Sequence, residues 1–460
     1  MTRHPILLPK RGAARRQRGA ATLIVVMLLF FIISMVAAYT SRNLIFEQRT
    51  SANQYRSTQA FEAAEAGLDW AIAQLNAGRM TSTCAVSTDD SAATELSFAQ
   101  RYLTISPSNG AMVPRVASSG GSVLPRCVFD TGSASGWRCH CPVANAATTS
   151  VSAPGGTGPA PAFAVRLIDG FSSPMVGPRA DLIQLEANSC TRLDATGSGC
   201  LSFTNDDRGG TGDGVGRSSV LLALRGAITR PPAAALTVSD TLAALPSVTA
   251  LSLTNQNAAA SGITLHTSGA EPVGITRNTT PGTPSGNSVI TTDSTLAPAA
   301  VGVYTSPERR FALYFGVRPD TYFRQPGMVE VNCSAGCDAA SVNLALLRNP
   351  GRAIRVRGAG TLTIGANIGS ASAPALLIVE GDVSFSSGVA FVGLLYGRKV
   401  DWAWAVGGPI TITGAAVAEG GLTLTGGGAT SIVYDAPTLT ALRVSYGTFV
   451  RVPGSWKDFQ

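Results

Sequence analysis

The order of apolar and polar positions divides the chain into unlike regions. No charged residue stands between Gly19 and Ser41, and residues 20–39 are apolar almost throughout. Crossing ~30 Å of hydrocarbon takes ~20 such residues, so this run predicts a transmembrane helix at about 20–40. Neither proline nor glycine occurs from Ala20 to Ala66. Beyond the apolar run, Phe61, Ala64, Leu68, Ile72 and Leu75 recur at helical spacing. Gly78 supplies a stop signal. The pattern predicts one helix from Ala20 to about Asn76, roughly 85 Å long at ~1.5 Å per residue. Its first half is apolar all round and its second half amphipathic.

The rest of the chain reads as β structure. Residues 162–169, 180–188 and 218–229 alternate apolar with polar or small positions. They are expected to form a sheet on the amphipathic half of the helix. From about Pro231 the texture turns to Ala, Thr, Ser, Gly and Leu with little charge. Short strands are predicted at 353–357, 362–364, 375–379, 383–385, 389–396, 410–412, 415–418 and 422–424, separated by glycine turns. The segments beginning Glu380-Gly-Asp and Glu419-Gly-Gly read as successive copies of one unit. Short strands stepping through glycine turns describe a parallel β-solenoid over about 353–440, with a β-sandwich as the alternative. An insertion at 309–347 breaks this texture, with one short helix expected at 338–348. The fold class is therefore α+β. The expected parts are a leader (1–19), a helix (20–78), a small head (79–230, with a linker at 142–161) and a β-rich outer domain (231–460).

Charge changes the picture by where it sits. The net charge is +7, yet residues 1–19 carry Arg3, Lys10, Arg11, Arg15, Arg16 and Arg18 with no acid. That leaves +1 for all the rest. No basic face for nucleic acid follows. The cationic cluster instead orients the apolar helix, with the long C-terminal part outside the cytoplasm. A cleaved signal peptide ending at Val36-Ala37-Ala38 is the competing reading, but it gives no reason for the helical pattern to continue.

These residues resemble a known family. Arg18-Gly19 before Ala20-Ala21-Thr22-Leu23 looks like a prepilin-peptidase site, cut between Gly19 and Ala20. The run Gln59-Ala-Phe-Glu-Ala-Ala-Glu-Ala-Gly-Leu68 is similar to the signature of the PilX N-terminal family of type IV minor pilins. One position departs from the wider pilin pattern. The fifth residue after the cut, usually glutamate, is Ile24. A carboxylate in lipid is costly without a partner, so its loss fits a subunit with no neighbour above it. Tip pseudopilins of the type II secretion K class share that lack. Glu62 and Glu65 read either as contacts to neighbouring pilin helices or as a solvated face.

Eight cysteines lie on the non-cytoplasmic side and read as disulfides. Cys333 with Cys337 and Cys190 with Cys200 bracket turns. Cys84 and Cys127 are then left to pair with Cys139 and Cys141. Zinc on Cys139-His140-Cys141 fits ordinary ligand spacing poorly. Asp206, Asp207 and Asp213, on a glycine-rich loop, are a weak calcium candidate. His4, His140 and His266 are the only histidines, and none sits in a catalytic motif.

The resemblance implies a non-enzymatic, cofactor-free minor pilin. It would enter the inner membrane, be processed by prepilin peptidase and be methylated. It would then prime pilus assembly with other minor pilins, the major pilin and the assembly platform. It would end at the pilus tip or cell surface, presenting a PilY-type adhesin. The alternatives are a K-class pseudopilin and a secreted β-solenoid adhesin or carbohydrate-active protein.

Overall fold

A computed structural model describes residues 18–457 except 117–122, 133–135, 144–150, 153, 156–159, 171, 174–178, 194–200, 202, 204–213, 244–249, 258–261 and 297–306. The chain divides into two compact units, Met1–Thr58 and Gln59–Gln460. The first is helical. Helix α1 (Arg18–Leu75) begins there and its last turns belong to the second unit. From Ala21 to Thr58 its side chains are exposed, including the whole apolar run from Leu23 to Val36.

In the second unit, α2 (Phe98–Tyr102) leads into a hairpin of β1 (Leu103–Ile105) and β2 (Met112–Pro114). The head sheet follows. It contains β3 (Arg126–Phe129), β4 (Trp137–His140), β5 (Ala162–Asp169), β6 (Leu182–Cys190) and β7 (Val215–Gly226), all antiparallel. The three strands expected from alternation are its centre.

After β7 the chain enters a second architecture. Five strands come first: β8 (Leu236–Val238), β9 (Leu251–Asn255), β10 (Leu265–Thr267), β11 (Ile275–Thr279) and β12 (Val289–Ile290). Helices α3 (Pro307–Phe315) and α4 (Pro319–Phe323) form a crossover. Next come β13 (Met328–Asn332), β14 (Cys337–Asp338), α5 (Ala339–Arg348), β15 (Ala353–Arg357) and β16 (Leu362–Ile364). Then follow β17 (Ala375–Val379), β18 (Val383–Phe385), β19 (Val389–Gly397) and β20 (Asp401–Val406). The last coils are β21 (Ile410–Ala418), β22 (Gly421–Thr425) and β23 (Thr430–Tyr434). Helix α6 (Ala436–Val444) returns the chain to the head as β24 (Gly447–Arg451).

Every pairing among β8–β23 is parallel and in register between coils. This is a β-solenoid, and parallel register excludes the antiparallel sandwich. It has three faces. The first holds β9, β11, β23 and the leading halves of β19 and β21. The second holds β8, β10, β12, β13, β15, β17 and the trailing halves of β19 and β21. The third holds β14, β16, β18, β20 and β22. β19 and β21 turn from the first face to the second at Gly393 and Gly414, which pair with each other at φ +145° and +126°. A Cβ on Gly414 would lie 2.0 Å from the Gly393 carbonyl oxygen, so only glycine fits that corner. Leu377, Leu395, Ala416, Leu236 and Leu265 stack inward, and Trp402 and Trp404 fill the interior from the third face.

Chain order and spatial order differ. The coils run from β13 through β15, β17, β19 and β21; there β8 stacks on β21 and β9 on β23. The chain thus enters the solenoid in its middle and winds to one end at β12. It crosses back through α3 and α4, then winds from β13 up to meet its own beginning. The far end is closed by charge. Arg277 occupies the inward column of Leu253, Ile432 and Ile412, and it pairs with Glu271 at 3.4 Å. Inward charge blunts an open sheet end.

Several expectations need correction. The solenoid covers 236–290 and 328–434 rather than 353–440, because the early coils lacked the short glycine-bounded repeat that reveals the later ones. The expected insertion at 309–347 contains β13 and β14, the first coil of the later ladder. The segments at Glu380 and Glu419 lie on alternate coils, with Arg398 between them. The outer domain does not reach the C-terminus: β24 pairs antiparallel with β7 and completes the six-stranded head sheet. Gly226 and Gly447 are register partners, so the solenoid replaces a hairpin turn between neighbouring strands.

Candidate assembly helix and its head

The last turns of α1 are held by their apolar stripe. Ala64, Leu68, Ala71 and Leu75 are fully buried against Phe163, Val165, Ile183, Leu185 and Leu222 of the head sheet. Ile72 packs half-buried at the margin. Burying a leucine side chain contributes about 1.5–3 kcal/mol, so Leu68 and Leu75 are major anchors. Phe61 meets Trp456 edge to face, with ring centroids 6.1 Å apart.

The two glutamates of the helical motif part company. Glu65 accepts hydrogen bonds from Ser218 Oγ and, at 2.8 Å, from Trp456 Nε1. It ties the helix to β7 and to the C-terminal segment. Glu62 is exposed. It borders a groove of about 340 Å³ lined by Ala63, Ala66, Phe129, Trp137 and Pro161.

The end of α1 is locked by residues that pattern reading passed over. Asn76 exchanges two hydrogen bonds with the backbone of Phe449, each 2.9 Å. Arg352 Nη2 donates to the Leu75 carbonyl at 2.6 Å, and Nη1 donates to Asn76 Oδ1 and to the Gly447 carbonyl. The guanidinium thus meets the negative end of the helix, where cations are favoured. Burial brings its pKa down to about 10. Gly78 has no left-handed conformation. It is needed because a Cβ there would sit 2.5 Å from the Arg348 carbonyl oxygen. A lone arginine after Pro350-Gly351 gives no periodic signal, which is why the lock was illegible.

Gly19 and Ala20, the expected cleavage residues, lie in the first turn of α1, and Ile24 is exposed within the apolar run. The head is stapled by Cys84–Cys141 and by Cys127–Cys139, a cross-strand pair on β3 and β4. Cys333 is bonded to Cys337. Cys190 is disulfide-bonded, and its expected partner Cys200 lies outside the described residues. With Cys139 and Cys141 in separate disulfides, no thiolate is left beside His140 for zinc. Asp206, Asp207 and Asp213 lie outside the described residues, among which no metal-binding group occurs. His266 Nε2 meets Asp293 Oδ2 at 2.7 Å on the outside of β10. No nucleophile is hydrogen-bonded to the pair among the described residues.

Residues 18–69 match the PilX N-terminal family. Over this segment the chain is similar to the N-terminal part of PilX-type proteins. The match covers most of α1 and none of the solenoid. Among solved structures the chain is similar to the competence-associated pilin ComZ from Thermus thermophilus. The identity is 12%, over 87% of this chain and 97% of that one, with a TM-score of 0.19. No curated protein matches. The matched segment covers most of the one helix among the described residues that is long and apolar enough to cross a membrane, which fits membrane anchoring with a periplasmic or surface head.

Proposed function

We propose that this PilX-like pilin is a minor subunit placed at the tip of a type IV pilus, where it primes assembly and carries the solenoid as its outward surface. The observation that carries the reading is Ile24 inside the PilX-type segment. A subunit lacking the usual glutamate has nothing to offer a neighbour above it and needs none. The size of the insertion between β7 and β24 supports the same placement, because a large domain is accommodated most easily where no subunit follows.

In this reading prepilin peptidase cuts between Gly19 and Ala20, and the new terminus is methylated. The helix then leaves the bilayer to pack among other minor pilins, the major pilin and the assembly platform. Parts 1–19 and 20–78 act as leader and assembly helix. Glu62, beside the Phe129–Trp137 groove, is the remaining candidate for a contact to another subunit. A PilY-type adhesin is a further partner. No bond chemistry is asked of the protein.

The N-terminal residue of the mature protein is the direct test. A start at Ala20 supports processing as a pilin, and a start at Tyr39 removes the reading. A K-class pseudopilin is the second reading, since Ile24 fits it equally. Deleting the gene separates the two: loss of surface fibres indicates a pilus, loss of an exported enzyme a secretion system.

A further inference from the structure

The first face of the solenoid is unlike the second. Its outward columns can be read from the register. Thr411, Ser431, Ser252 and Thr276 follow one another on adjacent coils, and so do Thr413, Val433, Thr254 and Asn278. Adjacent coils lie about 4.8 Å apart, and positions two apart on one strand about 6.6 Å. The result is a flat grid of hydroxyl and methyl groups across four coils. Thr411 and Thr276 are exposed, and the members between them are half-buried by their neighbours. The hydroxyls of Thr411, Thr413, Ser431, Ser252 and Thr276 make no hydrogen bond to any described residue, so their donors and acceptors face solvent.

Charge is kept off this grid. On the second face and its corner, Glu330, Arg355, Glu380, Arg398 and Glu419 form a chain of ion pairs at 2.6–3.8 Å. There α3 and α4 cover the apolar outward columns. The far end is closed by Arg277 and Glu271. Neither outward column of the first face contains an ionisable residue. A charged partner would find no counter-charge there, and desolvating it would go uncompensated. A partly apolar protein surface would leave the hydroxyls unpaired. The complementary surface is flat, uncharged and itself a regular array of hydroxyls and C–H faces.

We propose that the first face of the solenoid binds a neutral polysaccharide, laid flat across the coils. The inference deepens the reading of the solenoid as an outward adhesive surface, but it does not depend on pilus assembly. The test uses the full-length chain in detergent, sedimented with microcrystalline cellulose, with chitin powder, and with an insoluble polyanionic glycan for contrast. The expected result is sedimentation with at least one neutral polymer. Thr411→Lys together with Thr276→Lys, both at exposed positions, weakens it at least about tenfold. Thr363→Lys, exposed on the third face, leaves it unchanged. Circular dichroism on each variant separates lost binding from lost folding.

Retention on no neutral polymer by folded protein overturns the proposal. So does retention only on the polyanion, or equal binding by the double lysine variant. A concentration-dependent dimer abolished by the double variant would assign the face to a second copy instead. Fibre formation by the same variants, scored in cells, reports on the pilin reading alone.

Discussion

The head and the solenoid belong to one compact unit and are both rich in strands, yet they hold together by different logic. The head sheet is antiparallel with a helix on one face, so its core is a layer of contacts between α1, α2 and the strands of the head. Segments far apart in the chain must all be present: α1, β3 to β7, and β24. The solenoid is a stack in which each coil needs only its neighbours. Its energy is repeated, whereas that of the head is concentrated. A damaging change in the head should be felt throughout the head. One in the solenoid should be felt as a fault in the stack.

The largest effect is expected at the solenoid corner. Gly414→Val places a side chain against the Gly393 carbonyl at positive φ. It is expected to cost more than about 4 kcal/mol, read as loss of parallel-β signal in circular dichroism. An unchanged melting temperature would show that the coils yield more easily than described. Disulfides sharpen the contrast next. Cys84–Cys141 closes 57 residues and Cys333–Cys337 closes 4. Chain-entropy arithmetic gives about 4 and about 2 kcal/mol respectively. Serine pairs at each bridge, compared by urea titration, should rank in that order.

Leu68→Ala removes a fully buried anchor of the head, at about 3 kcal/mol. The loss should appear as earlier proteolysis of the head while solenoid cleavage stays unchanged. Arg352→Met keeps the volume and leaves the Leu75 carbonyl without its cation, for about 2 kcal/mol. Because Arg352 touches α1 and the residue that opens β24, hydrogen exchange should quicken at both.

The last effect is spread over a range of pH. Glu419 is buried at the solenoid corner and accepts from Tyr396 Oη at 2.8 Å, and burial lifts its pKa from 4.5 to about 7. The folded state therefore holds this proton more tightly than the unfolded state. Its contribution to stability is fully present below pH 4.5 and declines as pH rises to about 7, by no more than about 1.4 kcal/mol per pH unit. Glu419→Gln should flatten that part of a stability–pH profile. An identical slope in both proteins would place the dependence elsewhere.

Legibility in the sequence follows the same division. Strands such as 353–357 and 375–379 were readable because glycine turns bracket short apolar runs. β20 was missed although Trp402 and Trp404 alternate with polar or small residues, because two tryptophans in a low-charge stretch do not announce a strand. The stacking of β8 on β21 was illegible, since nothing local links positions so far apart. In the head, the helix stripe and the central strands could be read from periodicity. The locks could not: Asn76, Arg352 and the Glu65–Trp456 bond are single polar residues whose meaning lies in distant partners.

The return of the chain to β7 has a consequence for how the protein is made. Synthesis runs from the N-terminus, so β8 to β12 emerge before the coils they lean on. The edge of β7 stays bare until residues 447–451 arrive. A product truncated anywhere before Gly447 therefore carries an unfinished head, however much of the solenoid it contains. The last strand marks a chain that has passed through the whole insertion, and only chains that carry it present proteases with all six strands of the head sheet.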